Sequence, residues 1–396
     1  MPLNINQERS TTSIPTAEEM NEKRKVLHVM RSLDAGGIGT FILNVYHAVD
    51  RDSVQFDFAI TSKGMGIYGP QIEAMGGRIF FISDNGNRGL FDGIKQMWNL
   101  YKLCRDGNYE VVHVHYYFAN AFFLLCALLA GIKKRVSHCH TAQTKKPGLK
   151  RKIFNAVSRQ LLFLTGTDFL GCADAATIYL YGEKAFRSGK AKTLYNGIDY
   201  AAWDISNYDI KALRQRYALT DERVIIFVGR LEKPKNPIYA LKVMKEVHRQ
   251  NSNTIMFFVG TGSYEQDVTR FIAENNMSEY VRCMPQNSNI KELQAVSDVM
   301  LAPSLREGLS IAFIEAQKMD TLVVTSDQVS QEIDMGRCEF ISLESKSKWV
   351  DSILDKITER KQYELTKHVE DFNVKTTAKK LMTIYFGADD AQRIVR

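Results

Sequence analysis

The chain reads Lys25-Val-Leu-His-Val-Met-Arg-Ser-Leu-Asp-Ala-Gly-Gly-Ile-Gly39 where its first structural unit begins. The first six of these residues are mostly apolar, which predicts a short buried strand. A glycine-rich loop from Asp34 to Gly39 follows, and the stretch from Thr40 to Val49 carries apolar side chains at helical spacing. A strand, a tight loop and a helix in this order predict the start of a parallel α/β sheet.

The same alternation continues and then restarts. Further strands are predicted at Gln55–Thr61, Arg78–Ile82, Val111–His115, Arg135–His138 and Asp168–Gly171. After Tyr195-Asn-Gly-Ile-Asp199 the pattern begins again with strands at Val224–Val228, Thr254–Val259, Val281–Met284, Val299–Ala302 and Thr321–Thr325. We therefore predict an α/β chain with two Rossmann-like, doubly wound domains that face each other across a cleft. The predicted limits are a mobile polar tail over 1–24, an N-terminal domain over 25–200 completed by a helix at about 376–396, and a C-terminal domain over 201–375.

The composition is that of an ordinary globular protein, with 45% hydrophobic and 24% charged residues in 396. Its six cysteines form no CxxC pair, which argues against a disulfide framework and a structural zinc site and favours a reducing cytoplasm. The polar first residues lack the apolar run of a signal peptide. The longest apolar stretch, Phe118 to Ile132, is too short to span a bilayer and predicts a buried helix.

The net charge of +7 is unevenly distributed. No acidic residue lies between Glu110 and Asp168, and apolar residues from Leu149 to Leu162 recur at helical spacing beside basic ones. This pattern predicts a basic amphipathic helix, and we favour an anionic membrane surface over nucleic acid as its partner. The alternative is a core helix with a solvated basic face. The residues proposed to meet the membrane are Lys145, Lys146, Lys150, Arg151 and Lys152.

Three further features point to binding of a sugar diphosphate. Glu307 and Glu315 are separated by seven residues across a glycine-containing turn that opens a helix, where free backbone N–H groups attract anions. Arg230 and Lys235 follow the first strand of the second domain and can neutralise a diphosphate without a metal. The loop from Gly36 to Gly39 can present backbone N–H groups, although a loop that merely turns the chain has the same pattern.

The histidines allow more than one interpretation. His113 and His115 share one face of a strand, and His138 and His140 share one face of another, with Cys139 between them. A zinc site is one alternative, but we prefer hydrogen bonds from strand-end histidines to a substrate and predict no metal. For His113 we predict a satisfied core histidine.

Taken together, these motifs resemble the retaining glycosyltransferases of family 4, which have the GT-B fold, in particular those of bacterial exopolysaccharide and capsule synthesis. The resemblance covers the chain from about Lys25 onward. It rests on the glycine-rich loop, on the seven-spaced glutamates and on Val111-Val-His-Val-His115, Tyr195-Asn-Gly-Ile-Asp199, Val228-Gly-Arg-Leu-Glu-Lys-Pro-Lys-Asn236, Val259-Gly-Thr-Gly262 and Ser297-Asp-Val-Met-Leu-Ala-Pro-Ser304. Three positions depart from the pattern, namely Gly39, Ala173 and Asp320.

The resemblance implies a role for each matching residue. The catalytic contacts would be His115, Arg230, Lys235 and Glu307. The donor-binding residues would be Gly37, Gly229, Gly262, Met284, Gly308, Leu309, Ser310 and Glu315, with Glu315 on the nucleotide ribose. The acceptor side would include His140 and Asn196.

The resemblance also implies the reaction. A sugar would pass from a nucleotide diphosphate, expected to be UDP, to a hydroxyl of a glycan or polyprenyl-diphosphate-linked acceptor, with retention of configuration and without a metal or other cofactor. The protein would be cytoplasmic and peripheral on the inner face of the membrane, with no nucleic acid partner. The alternatives are an epimerase or phosphorylase of the same fold, or a catalytically silent partner that binds nucleotide sugar.

Overall fold

A computed structural model describes residues 23–34, 36–83, 90–141, 148–285, 287–359 and 364–395. Most of the predicted polar tail and two of the proposed membrane-surface lysines, Lys145 and Lys146, lie outside these residues. Everything below refers to the part of the chain that the structure describes.

The first half of the chain builds a seven-stranded parallel sheet with the order β3-β2-β1-β4-β5-β6-β7. Its central strands are almost wholly buried and apolar, as expected for a parallel sheet covered by helices on both faces. The strands are β1 (Arg24–Met30), β2 (Val54–Ile60), β3 (Ile79–Phe81), β4 (Val111–Val114), β5 (Lys134–Cys139), β6 (Asp168–Gly171) and β7 (Ala191–Thr193).

The second half builds a six-stranded parallel sheet with the order β10-β9-β8-β11-β12-β13. The strands are β8 (Arg223–Val228), β9 (Thr254–Val259), β10 (Val281–Met284), β11 (Val299–Ala302), β12 (Leu322–Ser326) and β13 (Cys338–Ile341). The prediction of two parallel α/β sheets is therefore confirmed.

Helices connect the strands of both sheets. In the first half they are α1 (Gly37–Ala48), α2 (Gly69–Ala74), α3 (Leu90–Asp106), α4 (Asn120–Leu129), α5 (Leu149–Thr165), α6 (Asp174–Tyr181) and α7 (Glu183–Arg187). In the second half they are α8 (Ile210–Arg216), α9 (Pro237–Gln250), α10 (Glu265–Glu274), α11 (Ile290–Ala295), α12 (Ile311–Lys318), α13 (Lys346–Glu359), α14 (Val374–Phe386) and α15 (Ala388–Ile394). None of these helices combines the length and apolarity that crossing a membrane requires.

The last two helices return to the first sheet. Leu381 and Ile394 share a buried apolar cluster with Phe41 of α1, and the Asp50 N–H donates a 2.6 Å hydrogen bond to the Ile394 carbonyl. Arg24 forms an ion pair with Asp390. We accordingly propose domain limits of 25–200 and 201–375, with the C-terminal helices completing the first domain.

Two strands of the structure were not predicted from the sequence. The short edge strands β7 and β13 contain polar residues and have no continuous apolar run. Because an edge strand pairs on one side only, its sequence pattern is weaker than that of a central strand. The left-handed backbone at Asp320, with φ of 60°, ends the α12 segment in a conformation that Asp tolerates.

Candidate active site

Each sheet has one point where its strand order reverses. In the second sheet the chain leaves β8 toward β9 and β10, then crosses back to β11, so β8 and β11 are neighbours whose loops diverge. In the first sheet β1 and β4 are the corresponding pair. Ligands of open parallel sheets bind at the carboxyl ends of such neighbouring strands. The predicted site residues after β8 and β11 therefore lie at the expected crevice.

Three loops at this end of the second sheet are tied together by backbone hydrogen bonds. The Leu305 N–H donates to the Pro234 carbonyl over 2.8 Å, which joins the loop after β11 to the loop after β8. The Leu231 N–H donates to the Thr261 carbonyl over 2.8 Å, which joins the β8 loop to the β9 loop. These hydrogen bonds hold the loop that carries Arg230 and Lys235 and the loop that carries Glu307 in one rigid frame.

Lys235 and Glu307 meet inside this frame as an ion pair. Only 18% and 13% of their side-chain surfaces are exposed. The Ser304 hydroxyl donates a 3.0 Å hydrogen bond to Oε1 of Glu307, the same oxygen that faces Lys235. Two partners thus hold the Glu307 carboxylate, which orients it and leaves it unsuited to act as a free nucleophile.

A cavity of about 500 Å³ opens beside the pair, between the two sheets. The second domain supplies most of its cations, since the exposed Arg230 and Arg306 join Lys235 there. Arg306 was not predicted from the sequence, although its place directly before the predicted site residue Glu307 indicates that it lies at the same site. The residues that line the cavity are Tyr117, Thr141, Arg151, Arg230, Glu232, Pro234, Lys235, Arg306, Glu307 and Gly308.

Arg151 belongs to this cavity as well as to the proposed membrane surface. It comes from α5 of the first domain and faces the cations of the second domain across the cleft. Tyr117, also from the first domain, has a positive φ of 67° and stacks on Tyr179. A strained backbone at a cleft is a frequent feature of functional sites.

The predicted glycines have structural reasons that sequence alone did not reveal. A Cβ on Gly262 would lie 2.5 Å from the Leu231 carbonyl oxygen, and φ there is 157°. A Cβ on Gly229 would meet the Lys235 side chain at an ordinary contact distance of 3.4 Å, so the φ of 159°, which other residues rarely adopt, is what favours glycine there. A Cβ on Gly308 would lie 2.8 Å from the His140 carbonyl oxygen, so Gly308 is one of the places where the second domain touches the first.

Glu315 lies on α12, and part of its surface is accessible. Burial raises the pKa of its carboxyl to about 8, and the nearby charge of Lys291 opposes that shift only in part. The carboxyl is therefore largely protonated at neutral pH in the ligand-free protein. Such a group gains from partners that donate hydrogen bonds to its ionised form.

The remaining donor-side residues surround this core without lining the cavity. Leu309 and Ser310 are buried at the start of α12. Met284 is half-buried at the end of β10. Gly37 is exposed at the start of α1, where an added Cβ would meet nothing within 4 Å. The structure thus brings Arg230, Lys235, Glu307 and Gly308 together and leaves Gly37 and Met284 at the periphery.

The histidine predicted to touch the sugar faces other histidines instead. His115 Nδ1 lies 2.9 Å from His140 Nε2, and His115 Nε2 lies 3.2 Å from His28 Nδ1. His115 is buried, whereas His140 is partly exposed. Asn196 is also buried, in the segment that runs from the first sheet toward the second. Of these three acceptor-side and catalytic candidates, His140 is the one whose carbonyl oxygen approaches Gly308 of the second domain.

Helix α5 is amphipathic, but several of its large apolar side chains face away from the protein core. The small polar residues Asn155 and Ser158 face the protein interior and are buried. Large apolar side chains face outward, with Leu149 74% and Ile153 58% exposed. The basic residues Lys150, Arg151 and Lys152 are exposed beside them. These exposed residues favour a surface-binding helix, while the buried Leu162 fixes the C-terminal part of α5 in the core.

The neighbouring helix α4 packs between α3 and α5, and α3 adds further exposed apolar surface. Phe91 is 87%, Ile94 57% and Trp98 54% exposed. Exposed apolar surface of this extent marks an interaction face.

Comparison with known proteins agrees with this geometry. Residues 35–202 match the family model "Glycosyltransferase Family 4", and residues 209–359 match "Glycosyl transferases group 1". Together the two models match well over half of the chain, one model on each sheet.

Three curated relatives are similar over most of their length. EpsF of Bacillus subtilis (strain 168), which is named as a glycosyltransferase, is 27% identical over 80% of this chain and 82% of its own. The capsular polysaccharide biosynthesis glycosyltransferase CapH of Staphylococcus aureus is 25% identical over 92% of this chain and 99% of its own. The Escherichia coli UDP-Gal:alpha-D-GlcNAc-diphosphoundecaprenol alpha-1,3-galactosyltransferase is 24% identical over 78% of this chain and 80% of its own.

Among solved structures, Anabaena HepE in complex with UDP superposes with a TM-score of 0.70. The two chains are 15% identical, and the match covers 93% of this chain and 97% of HepE. This likeness shows the fold, which is the GT-B arrangement that the motifs predicted.

Proposed function

This chain belongs to the family 4 glycosyltransferases with the GT-B fold, and from that premise we propose that it moves a sugar from a UDP-sugar to an acceptor hydroxyl in cell-surface polysaccharide synthesis. The observation that carries the proposal is the Lys235–Glu307 pair at the point where the strand order of the second sheet reverses, beside Arg230 and Arg306. A cluster of cations at strand ends is suited to a diphosphate.

The donor would lie with its diphosphate against Arg230 and Lys235. Glu307, held by Lys235 and Ser304, would accept hydrogen bonds from hydroxyls of the donor sugar, and the first amides of α12 would support the phosphate. UDP is the nucleotide named with HepE and with the galactosyltransferase of Escherichia coli. These names support UDP as the nucleotide to test first.

The reaction we propose retains the anomeric configuration. The bond from the anomeric carbon to the phosphate oxygen breaks, the acceptor oxygen bonds to the same face of that carbon, and the leaving phosphate takes the acceptor's proton. Arg230 and Lys235 stabilise the charge that develops on the phosphate, so the donor site needs no divalent ion. Closure of the two domains at the contact between Gly308 and His140 would exclude water.

The acceptor we propose is a glycan on a polyprenyl diphosphate at the inner face of the membrane. The exposed apolar and basic surface of α5 supports this choice, because such a surface binds anionic lipid. The Escherichia coli relative is named for transfer to a diphosphoundecaprenol-linked acceptor. Arg151 lies where this surface reaches the cavity, so the acceptor would enter beside α5.

Transfer to such an acceptor tests the proposal. The protein is incubated with UDP-sugars, EDTA and a short-chain polyprenyl-diphosphate-linked N-acetylhexosamine, and the acceptor is followed by mass spectrometry. We expect its mass to rise by one sugar residue. If every UDP-sugar leaves the acceptor mass unchanged, the proposed reaction is wrong.

Replacement of Glu315 by Gln is expected to raise the stability of the protein and to weaken its binding of UDP. The folded pKa of Glu315 is about 8 against an ordinary 4.5. Between pH 4.5 and about pH 8 the folded protein therefore binds a proton that the unfolded chain does not. Because of this, the Glu315 carboxyl lowers the free energy of unfolding increasingly as pH rises through that range. We expect Glu315→Gln to raise the melting temperature relative to the wild type more at pH 8.5 than at pH 5.5.

The same substitution should weaken UDP binding by about tenfold or more, since a charge-assisted hydrogen bond to the ribose is lost. In the wild type, UDP affinity should increase as pH rises through about 8. Calorimetry at both pH values measures each effect, and Glu274→Gln on the exposed surface of α10 is the matched control. A pH-independent UDP affinity in the wild type would contradict the role of Glu315.

A further inference from the structure

Five histidines gather at the carboxyl ends of three neighbouring central strands. His28 lies on β1 directly opposite His113 of β4, His115 follows β4, and His138 and His140 lie on and after β5. Their ring centroids approach to 4.1 Å between His113 and His115 and to 4.0 Å between His138 and His140. His28 was missed by sequence reasoning because it lies far from the other four in the chain. We call these residues the histidine cluster.

The cluster is buried and incompletely paired. Within the described residues, His28 Nε2, His113 Nε2, His140 Nδ1 and both ring nitrogens of His138 have no hydrogen-bond partner. Native proteins contain few such buried polar atoms, and each unsatisfied one costs about 1–3 kcal/mol. One of these atoms, His113 Nε2, lies on a ring that converges with His28 and His115.

Burial also fixes the charge of the cluster. It lowers the pKa of His28 and of His140 to about 3, and it lowers the pKa of the other three well below the ordinary value of 6.5. A neutral imidazole carries one lone pair, which is the form that binds metal ions.

Two of the histidines, His113 and His115, have their outer ring nitrogen already held by a partner. His113 Nδ1 bonds to the Tyr385 hydroxyl, and His115 Nδ1 lies 2.9 Å from His140 Nε2. When each Nδ1–H donates to these partners, the lone pairs of both rings lie on Nε2. Outer partners of this kind are what orient metal-binding histidines in proteins.

The inner nitrogens then converge. One ring nitrogen from each of His28, His113 and His115 lies within 4.8 Å of the other two. His28 Nδ1 and His115 Nε2 are 3.2 Å apart. Two nitrogen ligands on one tetrahedral zinc ion, each at about 2.0–2.1 Å, are separated by about 3.3 Å. The spacing therefore suits a shared ion as well as it suits a hydrogen bond.

We propose that His28, His113 and His115 bind one divalent transition-metal ion of the zinc class. Three imidazoles without a carboxylate select such ions over Mg²⁺ and Ca²⁺, which prefer oxygen. The buried Asp57 carboxylate acts electrostatically on His28, while its own ionic partner is Arg78. The ion would fix β1 to β4 at the point where the first sheet's strand order reverses.

This site is separate from the proposed donor site and does not depend on the proposed transfer reaction. The donor phosphates would still be neutralised by the cations of the second domain. A bound ion would hold His115, and through it His140, which touches the Gly308 turn. The metal site would thus stabilise the first domain's side of the cleft.

Cobalt binding tests the proposal on the full chain without an affinity tag, after treatment with EDTA and its removal by dialysis. We expect one equivalent of Co²⁺ to bind with the visible absorption of an imidazole-bound ion, and Zn²⁺ to displace it. Tyr385→Phe should keep the three ligands and weaken Co²⁺ binding by about 10- to 100-fold, since it removes an outer partner. His28→Phe should abolish the absorption.

The control is His47→Gln on the exposed side of α1, which should bind Co²⁺ like the wild type. A cooperative melting transition in each variant shows that it is folded, and Tyr385→Phe keeps the test valid if His28→Phe does not fold. The proposal is overturned if the wild type takes up no Co²⁺. It is equally overturned if Tyr385→Phe and the folded His28→Phe bind Co²⁺ as tightly as the wild type does, or if only His138→Phe abolishes binding.

Discussion

Replacement of Lys235 by alanine is expected to lower kcat/KM for the sugar donor by about 10²–10³-fold. The lysine is only 18% exposed and is fixed by the Glu307 carboxylate, so its charge reaches the cavity without reorganisation. Removing it takes one preorganised cation from the leaving phosphate and also leaves Glu307 without its ionic partner. In the proposed site Lys235 contacts the diphosphate both in the bound donor and in the transition state, so the loss should appear in KM as well as in kcat.

Lys233 provides the matched control because it lies two residues away on the same loop. Its side chain is exposed and does not line the cavity. Lys233→Ala changes the net charge by the same amount. We expect it to change kcat/KM by less than about threefold, which is the range of a surface substitution. Equal effects of the two variants, measured as steady-state release of the nucleotide diphosphate, would contradict the assignment of Lys235.

Neutralising the lysines around α5 is expected to reduce binding to anionic vesicles by roughly 10²–10³-fold, since each lysine near an anionic surface contributes ~1 kcal/mol. The variant replaces Lys145, Lys146, Lys150 and Lys152 by glutamine. Arg151 stays unchanged because it lines the cavity, so that donor binding is not altered directly. Co-sedimentation with phosphatidylcholine vesicles, with and without phosphatidylglycerol, measures the effect.

The control for this variant carries the same change of net charge in the second domain. It replaces Lys242, Lys245, Lys346 and Lys348, all exposed, by glutamine. We expect it to bind anionic vesicles like the wild type. If both variants lose binding equally, the attraction is a general effect of net charge, and α5 is not a specific membrane surface.

The fold and the donor-side motifs were accessible to sequence reasoning because both depend on local patterns. Apolar runs followed by glycine loops identified β1 and β8, and strand-end motifs identified Lys235 and Glu307, which the structure places in contact. Gly308 was assigned to the donor, and its close approach to the His140 carbonyl became visible only in the structure.

Long-range packing explains what the sequence could not provide. His28 and His113 are paired only because β1 and β4 are neighbours in the sheet, and no local pattern reports that pairing. The outward direction of Leu149 depends on which side of α5 meets α4. Arg151 reaches the cavity only because the two domains face each other across it.

A panel of nucleotide sugars, scored by thermal shift and by donor hydrolysis in the presence of EDTA, tests the donor site most directly. The wild type is compared with Lys235→Ala and Glu307→Ala. We predict that one UDP-sugar raises the melting temperature of the wild type and is slowly hydrolysed, and that both effects are lost in the two variants. A wild type that responds to no nucleotide sugar, or variants that respond as the wild type does, would contradict the account.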